Sequence, residues 1–588
     1  MFRSRALRYQ DKECLLFKKE GAYQSISWNA LDEKILNLAA YFLNQGLRKG
    51  DRIALLSGNC PEWATADLAI LSIGCITVPI YPTLTPVEIQ QLLEDSGSKC
   101  LLVSHASILE DLLKWQGLIL SFEESNFSRA LAEGEEFRRK QEPLFSQRLQ
   151  QTEGKDIASI IYTSGTTGDP KGVVLSHENF LSNCRSCSKA ISISEKDTYL
   201  SFLPLSHVFE RMAGFYFILF QGGRIAYAEN MDTIFKNMQE IGPTVMSGVP
   251  RFFEKLHEAI QTSVDQKSLI ERKLFAWALH MGRQQAKASQ TKTSFPWRLR
   301  FQYPIAYSLV LRPLRRKLGS SLRFFISGSA PLSVEVIEFF AAFDCLILEG
   351  YGLTETSPVI SVNRLDRQKW GTVGLPIPDV EVKIAEDGEI LIRGPNVMQG
   401  YFHRENATRE VFREGYFLTG DIGLMDSEGF LTITDRKKDL IKTSGGKYVS
   451  PQKLEGLLKR DPLIHEAVVF GDRHKYVVAL LVPNFKMLED YASRKGIFYK
   501  DRKTFLIHPE VISFVRHHVE TCLKDLSNFE KIKKFSLLEK ELTQNEGELT
   551  PTLKVKRKLL YEKYCDLIES LYQETLEEDP SSALPHRG

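Results

Sequence analysis

The stretch Ile160-Ile161-Tyr162-Thr163-Ser164-Gly165-Thr166-Thr167-Gly168-Asp169-Pro170-Lys171-Gly172 decides the reading of this chain. A short, mostly apolar run from about Ile157 to Tyr162 reads as a strand. It passes abruptly into a loop of hydroxyls and glycines, then into Pro170 and Lys171. Glycines let backbone N–H groups turn toward phosphate oxygens, hydroxyls add donors, and a lysine adds a compact positive charge. Pro170 stands where a Walker A loop has glycine before its lysine, so this is a phosphate loop of another kind. The alternative is a plain Gly/Ser hairpin. Six consecutive hydroxyl or glycine residues, Thr163 to Gly168, directly behind a strand weigh against it.

Upstream, residues 26 to 120 alternate helical patterns with β-branched runs. Asp51 to Leu56 reads as a strand, Pro61 to Ser72 as a helix and Ile76 to Ile80 as a strand, the pattern of a parallel α/β sheet. The apolar stretch Leu68 to Tyr81 is too short for the ~20 residues of a spanning helix and reads as a buried helix followed by a strand. Residues 121 to 150 are polar and read as a surface excursion. Downstream, Gly371 to Thr434 is dominated by short strands with turns such as Asp387-Gly388, a mostly antiparallel section. Asp435 to Asp439 has the charge of an exposed linker, followed by a small Lys-rich α+β section and a polar tail from about Glu577. The expected fold class is α/β: a large N-terminal domain, 1–435, with two α/β subdomains and a β-rich section, and a small C-terminal α+β domain, 436–588.

Composition narrows the function. The chain has 588 residues, 43% hydrophobic and 26% charged, so it is a folded multi-unit protein. Lys and Arg number 76 against 74 Asp and Glu, a balance with no global attraction for nucleic acid. Nine dilute cysteines fit a reducing compartment. The charged N-terminus lacks the apolar core of a signal peptide. The expected location is cytoplasmic, with peripheral association on the inner face of a membrane as its extension.

Two further segments carry chemistry. In Glu349-Gly350-Tyr351-Gly352-Leu353-Thr354-Glu355-Thr356, glycines flank an aromatic able to stack on a base, and Glu355 suits a hard cation such as Mg²⁺. Ser327-Gly328-Ser329-Ala330-Pro331-Leu332 is a second small-residue loop behind an apolar strand. In Tyr416-Phe417-Leu418-Thr419-Gly420-Asp421, a carboxylate at a strand end can accept both hydroxyls of a ribose; Asp435-Arg436 follows about fifteen residues on. Taken singly, the first of these reads equally well as a turn with a helix cap, and the last reads more readily as a turn aspartate.

Together and in this order, the three motifs resemble those of the adenylate-forming family of acyl-CoA synthetases, luciferases and peptide-synthetase adenylation domains. The resemblance runs from about residue 25 to 560. Pro204-Leu205-Ser206-His207-Val208-Phe209-Glu210-Arg211, Ser247 to Arg251 and Leu549 to Arg557 resemble the long-chain fatty-acyl branch. The family's glycine before its catalytic lysine is here Leu553, as in long-chain members. The resemblance implies ATP-dependent formation of a fatty acyl-adenylate and transfer of the acyl group to a phosphopantetheine thiol. It implies that Thr163, Ser164, Gly165, Thr166, Thr167, Gly168 and Lys171 cradle the β- and γ-phosphates, and that Thr166 and Glu355 hold Mg²⁺. Gly350, Tyr351, Gly352 and Thr354, with Gly328, Ser329 and Ala330, would flank adenine. Asp421 and Arg436 would grip the ribose, and Lys554 would bridge the α-phosphate and the carboxylate. Lys438 would be the hinge about which the small domain swings, and Ser444, Gly445 and Gly446 the thiol side. His207 would border the acyl channel near the carboxylate; the alternative is a satisfied core histidine.

Other features have plainer expectations. Glu210 and Arg211 read as a structural pair. Cys184 and Cys187 have CxxC spacing but no second pair nearby, which argues against zinc or redox work. Residues 272 to 334 contain no Asp or Glu and twelve Lys and Arg, interleaved with Trp277, Phe295, Trp297, Phe301, Tyr303 and Tyr307. Such a face either attracts anionic lipid or is the solvated side of amphipathic helices. From Lys437 to Lys558 there are 25 Lys and Arg against 16 Asp and Glu, which suits CoA or an acidic acyl carrier protein as acceptor. CoA is expected, with the carrier protein as alternative. A non-catalytic fatty-acyl or nucleotide-binding protein is the reading from another class.

Overall fold

The computed structural model describes all residues except 112–114, 164–169, 292, 295–296, 445–446, 544–545, 550–554 and 574–588. The chain divides into two compact units, Met1–Ile433 and Thr434–Gly588.

The first unit holds two large, mainly parallel sheets. One runs Gly400–Tyr401, Lys171–Ser176, Ile157–Thr163, Ile76–Ile80, Arg52–Leu56, Cys100–Val103, Leu118–Ser121 in spatial order. Its central strands are parallel, and the last two on the Gly400 side are antiparallel. Side chains alternate between two cores: Ile53 and Leu55 enter one, Ala54 and Leu56 the other. Both faces are therefore apolar, the pattern of a parallel sheet covered on both sides. Pro61–Ser72 is helical because Pro61 starts it with φ already set while the Cys60 side chain caps the Trp63 N–H.

The second sheet has at its centre the parallel strands Leu346–Gly352, Phe324–Ser327, Val245–Gly248, Thr198–Ser201, Arg224–Tyr227 and Glu13–Lys19, flanked by antiparallel edges. Ile326 packs into the shared core with the first sheet, while Phe325 and Ile347 join a second core rich in phenylalanine, with Phe253, Phe339, Phe340 and Phe343. A third, antiparallel sheet of Glu381–Ile384, Glu389–Arg393, Tyr416–Met425 and Phe412–Arg413 supplies the β-rich section.

Residues 121 to 150 are not a mere surface excursion. Glu124–Lys140 is a helix that buries Phe127, Ala130 and Gly134. A Cβ on Gly134 would lie 1.8 Å from the Asn37 carbonyl oxygen, so this helix crosses Trp28–Asn44 at backbone contact. The segment is polar only because its outer face is wet.

In the second unit Ile464–Phe470, Val478–Pro483 and Lys534–Leu537 form a small sheet. Ala467 and Val469 face one core, Val468 and Phe470 another. Helices such as Pro451–Leu458 and Pro509–Cys522 cover the first of these. Among the described residues no helix is long and apolar enough to cross a membrane.

Candidate active site

The candidate loops sit at the carboxyl ends of parallel strands, where open α/β sheets bind ligands. Thr163 ends Ile157–Thr163, Ser327 ends Phe324–Ser327, and Gly352 ends Leu346–Gly352. Ser164, Gly165, Thr166, Thr167 and Gly168 lie outside the described residues. Their flanks do not: Thr163 and Lys171 face each other as the last pair of an antiparallel ladder, and the Thr163 Oγ1 donates to the Lys171 carbonyl at 3.4 Å. The strand leading into the loop is braced by the Tyr162 hydroxyl, which donates to Asp95 at 2.7 Å; Arg404 holds the other Asp95 oxygen at 2.9 Å.

Lys171 begins a strand whose outer neighbour is Gly400–Tyr401, with Tyr401 opposite Val173. Residues opposite or two apart on an antiparallel pair share a face. The Lys171 ammonium accordingly lies 5.1 Å from the Tyr401 ring centroid, and the Tyr401 hydroxyl donates to Glu355 Oε1 at 2.9 Å. Burial, then the Glu355 charge, pushes the Tyr401 hydroxyl well above the ordinary tyrosine range, so it is held as a donor.

Glu355 sits in a single 3₁₀ turn, Thr354–Thr356. That turn is stitched to residues 396–398. The Met398 N–H donates to the Glu355 carbonyl at 2.8 Å, the Asn396 amide donates to the Thr356 carbonyl at 2.8 Å, and the Ser357 Oγ donates to the Asn396 carbonyl at 2.8 Å. Asn179, on the helix that follows the Lys171 strand, donates to the carbonyls of Pro395 and Val397 at 2.8 and 2.9 Å. The Glu355 carboxylate, linked to the Lys171 ammonium through Tyr401, is a hard-oxygen donor that fits Mg²⁺, which takes one or two carboxylates plus substrate phosphates.

Gly350, Tyr351 and Gly352 run along the end of their strand into this turn. A Cβ on Gly352 would stand 1.9 Å from the Pro358 carbonyl oxygen, so only glycine lets the chain double back there. The Tyr351 hydroxyl donates to Asp421 Oδ2 at 2.6 Å. Asp421 is buried, and its turn is fixed by Glu389, which accepts the Gly420 N–H at 3.0 Å, and by the Thr419 hydroxyl, which donates to the Ile390 carbonyl at 2.8 Å. Gly328 follows Phe324–Ser327 and donates to the Gly248 carbonyl at 3.3 Å; Ser329 takes a left-handed φ of 73° and Ala330 continues the loop. Glu349, one residue before Gly350, is buried, and burial pushes its carboxyl up to about 8 against the pull of the Leu332 and Gly371 backbone N–H groups.

His207 donates its backbone N–H to the Pro204 carbonyl at 2.9 Å, and its Nδ1 accepts the Phe209 N–H at 3.1 Å. The proton of the neutral ring therefore belongs on Nε2. Its ring lies 6.5 Å from Tyr81.

Glu210 and Arg211 do not pair with each other. A π turn, Glu210–Tyr216, sends their side chains in opposite directions. Glu210 accepts from the Tyr199 hydroxyl at 2.7 Å and the Ser201 hydroxyl at 2.6 Å, and burial pushes its carboxyl up to about 8. Arg211, fully buried, forms an ion pair with Asp67 and donates to the Ser159 Oγ at 2.7 Å. Cys184 and Cys187 are both buried, and burial pushes the Cys187 thiol up to about 12.

In the second unit, Arg436 ends the strand Leu431–Arg436; its backbone N–H bonds the Asp435 carboxylate at 2.6 Å and its carbonyl accepts from Asp439 and Leu440. Lys438 is exposed within that turn. Ser444 donates its N–H to the His474 carbonyl at 2.9 Å. Gly445, Gly446 and Lys554 lie outside the described residues. Leu549 and Val555, which bracket Lys554, form a β-bridge, and Arg557 pairs with the half-buried Glu455.

Of the expected residues, the structure links Lys171 to Glu355 through one shared tyrosine, and Tyr351 to Asp421. Sequence reasoning missed Tyr401, Glu389 and Glu349. Only Glu349 had a signal, as an acid embedded in a motif; Tyr401 and Glu389 are marked by no local pattern.

Comparison with known proteins identifies the family and the fold. The AMP-binding enzyme family matches residues 2–402, and the AMP-binding enzyme C-terminal domain matches residues 438–576. Long-chain-fatty-acid–CoA ligase FadD15 of Mycobacterium bovis is 33% identical over 593 residues, spanning 96% of this chain and 95% of that protein. Fatty acyl-CoA synthetase A of Dictyostelium discoideum is 30% identical over 97% of this chain and 89% of its own length. Among solved structures, ATP-bound MatB from Rhodopseudomonas palustris aligns with a TM-score of 0.71 at 23% identity, covering 96% of this chain and 99% of that one. The o-succinylbenzoate CoA synthetase of Bacillus subtilis, in complex with ATP and magnesium ion, aligns at 0.68 and 22% identity, covering 95% and 98%.

Proposed function

The chain belongs to the AMP-binding enzyme family, and from that premise we propose that it is an AMP-forming ligase joining a long-chain fatty acid to a thiol, with CoA as the acceptor. The observation that carries the reading is Tyr401 shared between Lys171 and Glu355, which gathers a cation and a metal-type carboxylate at the mouth of the loop that begins at Thr163.

A carboxylate is a poor acyl donor because its leaving group would be oxide. In the first step its oxygen attacks the α-phosphorus of ATP and pyrophosphate leaves. In the second, a thiolate attacks the acyl carbon, AMP leaves with both bonding electrons, and the thiol proton passes to solvent. Each step gathers charge on oxygens, so positioning and electrostatics do most of the work. Lys171, Thr163 and residues Ser164 to Gly168 take the β- and γ-phosphates. Glu355 and Thr166 would hold Mg²⁺, which neutralises phosphate charge when bound. Gly350 to Gly352, Thr354 and Gly328 to Ala330 flank adenine, with Asp421 and Arg436 on the ribose. His207 borders the acyl channel. Lys554 bridges carboxylate and α-phosphate in the first step only. Residues 1–435 act as the adenylation domain; 436–588 act as a lid turning about Lys438 to bring Ser444, Gly445 and Gly446 to the thiol.

The Lys/Arg surplus of residues 437–558 suits CoA and an acidic acyl carrier protein alike, so the carrier protein stands as the second reading. Because long-chain acids partition into bilayers, we place the enzyme in the cytoplasm, drawing acid from the inner face of an anionic membrane.

The test supplies purified full-length chain with oleate, ATP and Mg²⁺, then CoA or holo-carrier protein in parallel. Pyrophosphate release with acid alone, and AMP plus thioester once CoA is added, are expected. Absence of pyrophosphate release overturns the reading; thioester formed on the carrier protein alone replaces CoA as acceptor.

A further inference from the structure

Gln302–Ala306, Tyr307–Leu311 and Arg312–Lys317 follow one another without a break as a single helical run in the acid-free segment. Its inner face is settled: Ala306 and Leu311 are buried, and Tyr303, Tyr307, Val310 and Leu314 pack against the phenylalanine-rich core. Trp277, on the neighbouring helix Leu269–Gln290, also packs there and donates its indole N–H to Gln302 at 3.2 Å. These aromatics, which the sequence leaves open to lipid, are committed to packing.

The outer face is different. Phe301, Ile305 and Leu309 recur every four residues and are 76%, 54% and 62% exposed. Four-residue spacing aligns side chains along one side of a helix. Basic side chains bracket the stripe: Arg300 on one end, and Arg312, Arg316 and Lys317, all exposed, on the other. Two acids from outside the segment pair with its cations, Asp344 with Arg315 and Glu338 with Lys287. Among the described residues Arg312, Arg316 and Lys317 have no ion pair.

We propose that this stripe is a docking surface for an anionic phospholipid bilayer, with Phe301, Ile305 and Leu309 inserted at the headgroup boundary and Arg312, Arg316 and Lys317 on lipid phosphates. Charge chooses this occupant. A row of large apolar side chains ending in unmatched cations, on a segment without a single acid, complements a surface that is apolar below and negative above. The inference takes its purpose from the long-chain substrate proposed above, and its location from these residues alone.

The full-length chain is floated with vesicles of phosphatidylglycerol and phosphatidylcholine in equal parts, and with phosphatidylcholine alone. Binding to the first and little to the second is expected. Arg312→Gln/Arg316→Gln/Lys317→Gln should weaken it about a hundredfold, near fivefold for each cation removed. Phe301→Ser/Ile305→Ser/Leu309→Ser should abolish the binding that survives at high salt, where surface charge is screened. Both variants should retain pyrophosphate release with a soluble medium-chain acid. Vesicle binding unaltered in both variants overturns the proposal, as does wild-type protein that ignores anionic vesicles. A wild-type dimer made monomeric by the serine substitutions, with vesicle binding intact, assigns the stripe to a second copy and also overturns it. Loss of vesicle binding in both variants of a chain that releases no pyrophosphate from any acid upholds the surface while removing the proposed function.

Discussion

The Tyr401 hydroxyl donates to the Glu355 carboxylate at 2.9 Å while the Tyr401 ring meets the Lys171 ammonium 5.1 Å from its centroid. One side chain thus sets the orientation of two charged groups that lie far apart in sequence. The hydroxyl and the ring can be separated by substitution.

Tyr401→Phe keeps the ring under Lys171 and removes the donor that orients Glu355. The Mg²⁺ concentration for half-maximal pyrophosphate release should rise about tenfold, the lower end of what partners behind a metal ligand contribute. Glu355→Gln removes the anionic ligand itself and should cost more. A magnesium titration unchanged in Tyr401→Phe would give Tyr401 a packing role only.

Asp421→Asn keeps the shape of the turn but weakens acceptance of hydroxyls. The KM for ATP should rise ten- to a hundredfold, the scale of a charged hydrogen bond. Preference for ATP over 2′-deoxy-ATP should shrink with it. Tyr351→Phe removes the bond at 2.6 Å that aims the carboxylate and should give the same pattern, smaller. Intact sugar discrimination in Asp421→Asn would move the ribose elsewhere.

Lys554→Ala should abolish adenylate formation from acid and ATP yet largely spare transfer from supplied acyl-adenylate to the thiol. In the proposed mechanism its charge serves only the first step. Equal loss in both half-reactions would count against this role.

Arg211→Met should lower the thermal midpoint steeply, because it strands the buried Asp67 charge, a loss of about 3–5 kcal/mol. Adding Asp67→Asn should restore part of that, since no charge is then left unmatched. A double variant no more stable than the single would show that the two groups are not coupled.

Glu210 carries a pH dependence. Burial raises its carboxyl from an ordinary 4.5 to about 8. A raised folded-state value stabilises fully below 4.5 and is lost as pH climbs through 8. Glu349 acts in the same direction. Glu210→Gln keeps a carbonyl acceptor, offers two amide N–H donors where the protonated acid has one O–H, and cannot ionise. Its thermal midpoint should fall less than the wild type's between pH 5 and 8; parallel curves would place the titration on other groups.

The chain's own letters determined the α/β class and the strand-to-loop junction at Thr163, and they nominated Lys171, Glu355 and Asp421 as site residues. These are local signals: β-branched runs, glycines where the backbone must turn, and polar atoms bunched at a strand end within a few residues. Tertiary structure alone decided that Tyr401 meets Glu355 and that Glu389 holds the Asp421 turn. Those contacts depend on which strands become neighbours, and strand pairing joins segments that carry no mark of one another. Glu210 and Arg211 show the same limit at the shortest range. Adjacent opposite charges read as a pair, yet a π turn directs one toward Tyr199 and Ser201 and the other toward Asp67. The basic segment divides likewise. Its lack of acid is plain in the letters, but only packing against the phenylalanine-rich core separates Tyr303 and Tyr307, turned inward, from Phe301, Ile305 and Leu309, left facing water. A helix has a fixed period, and what lies against it decides which of its sides is the inside.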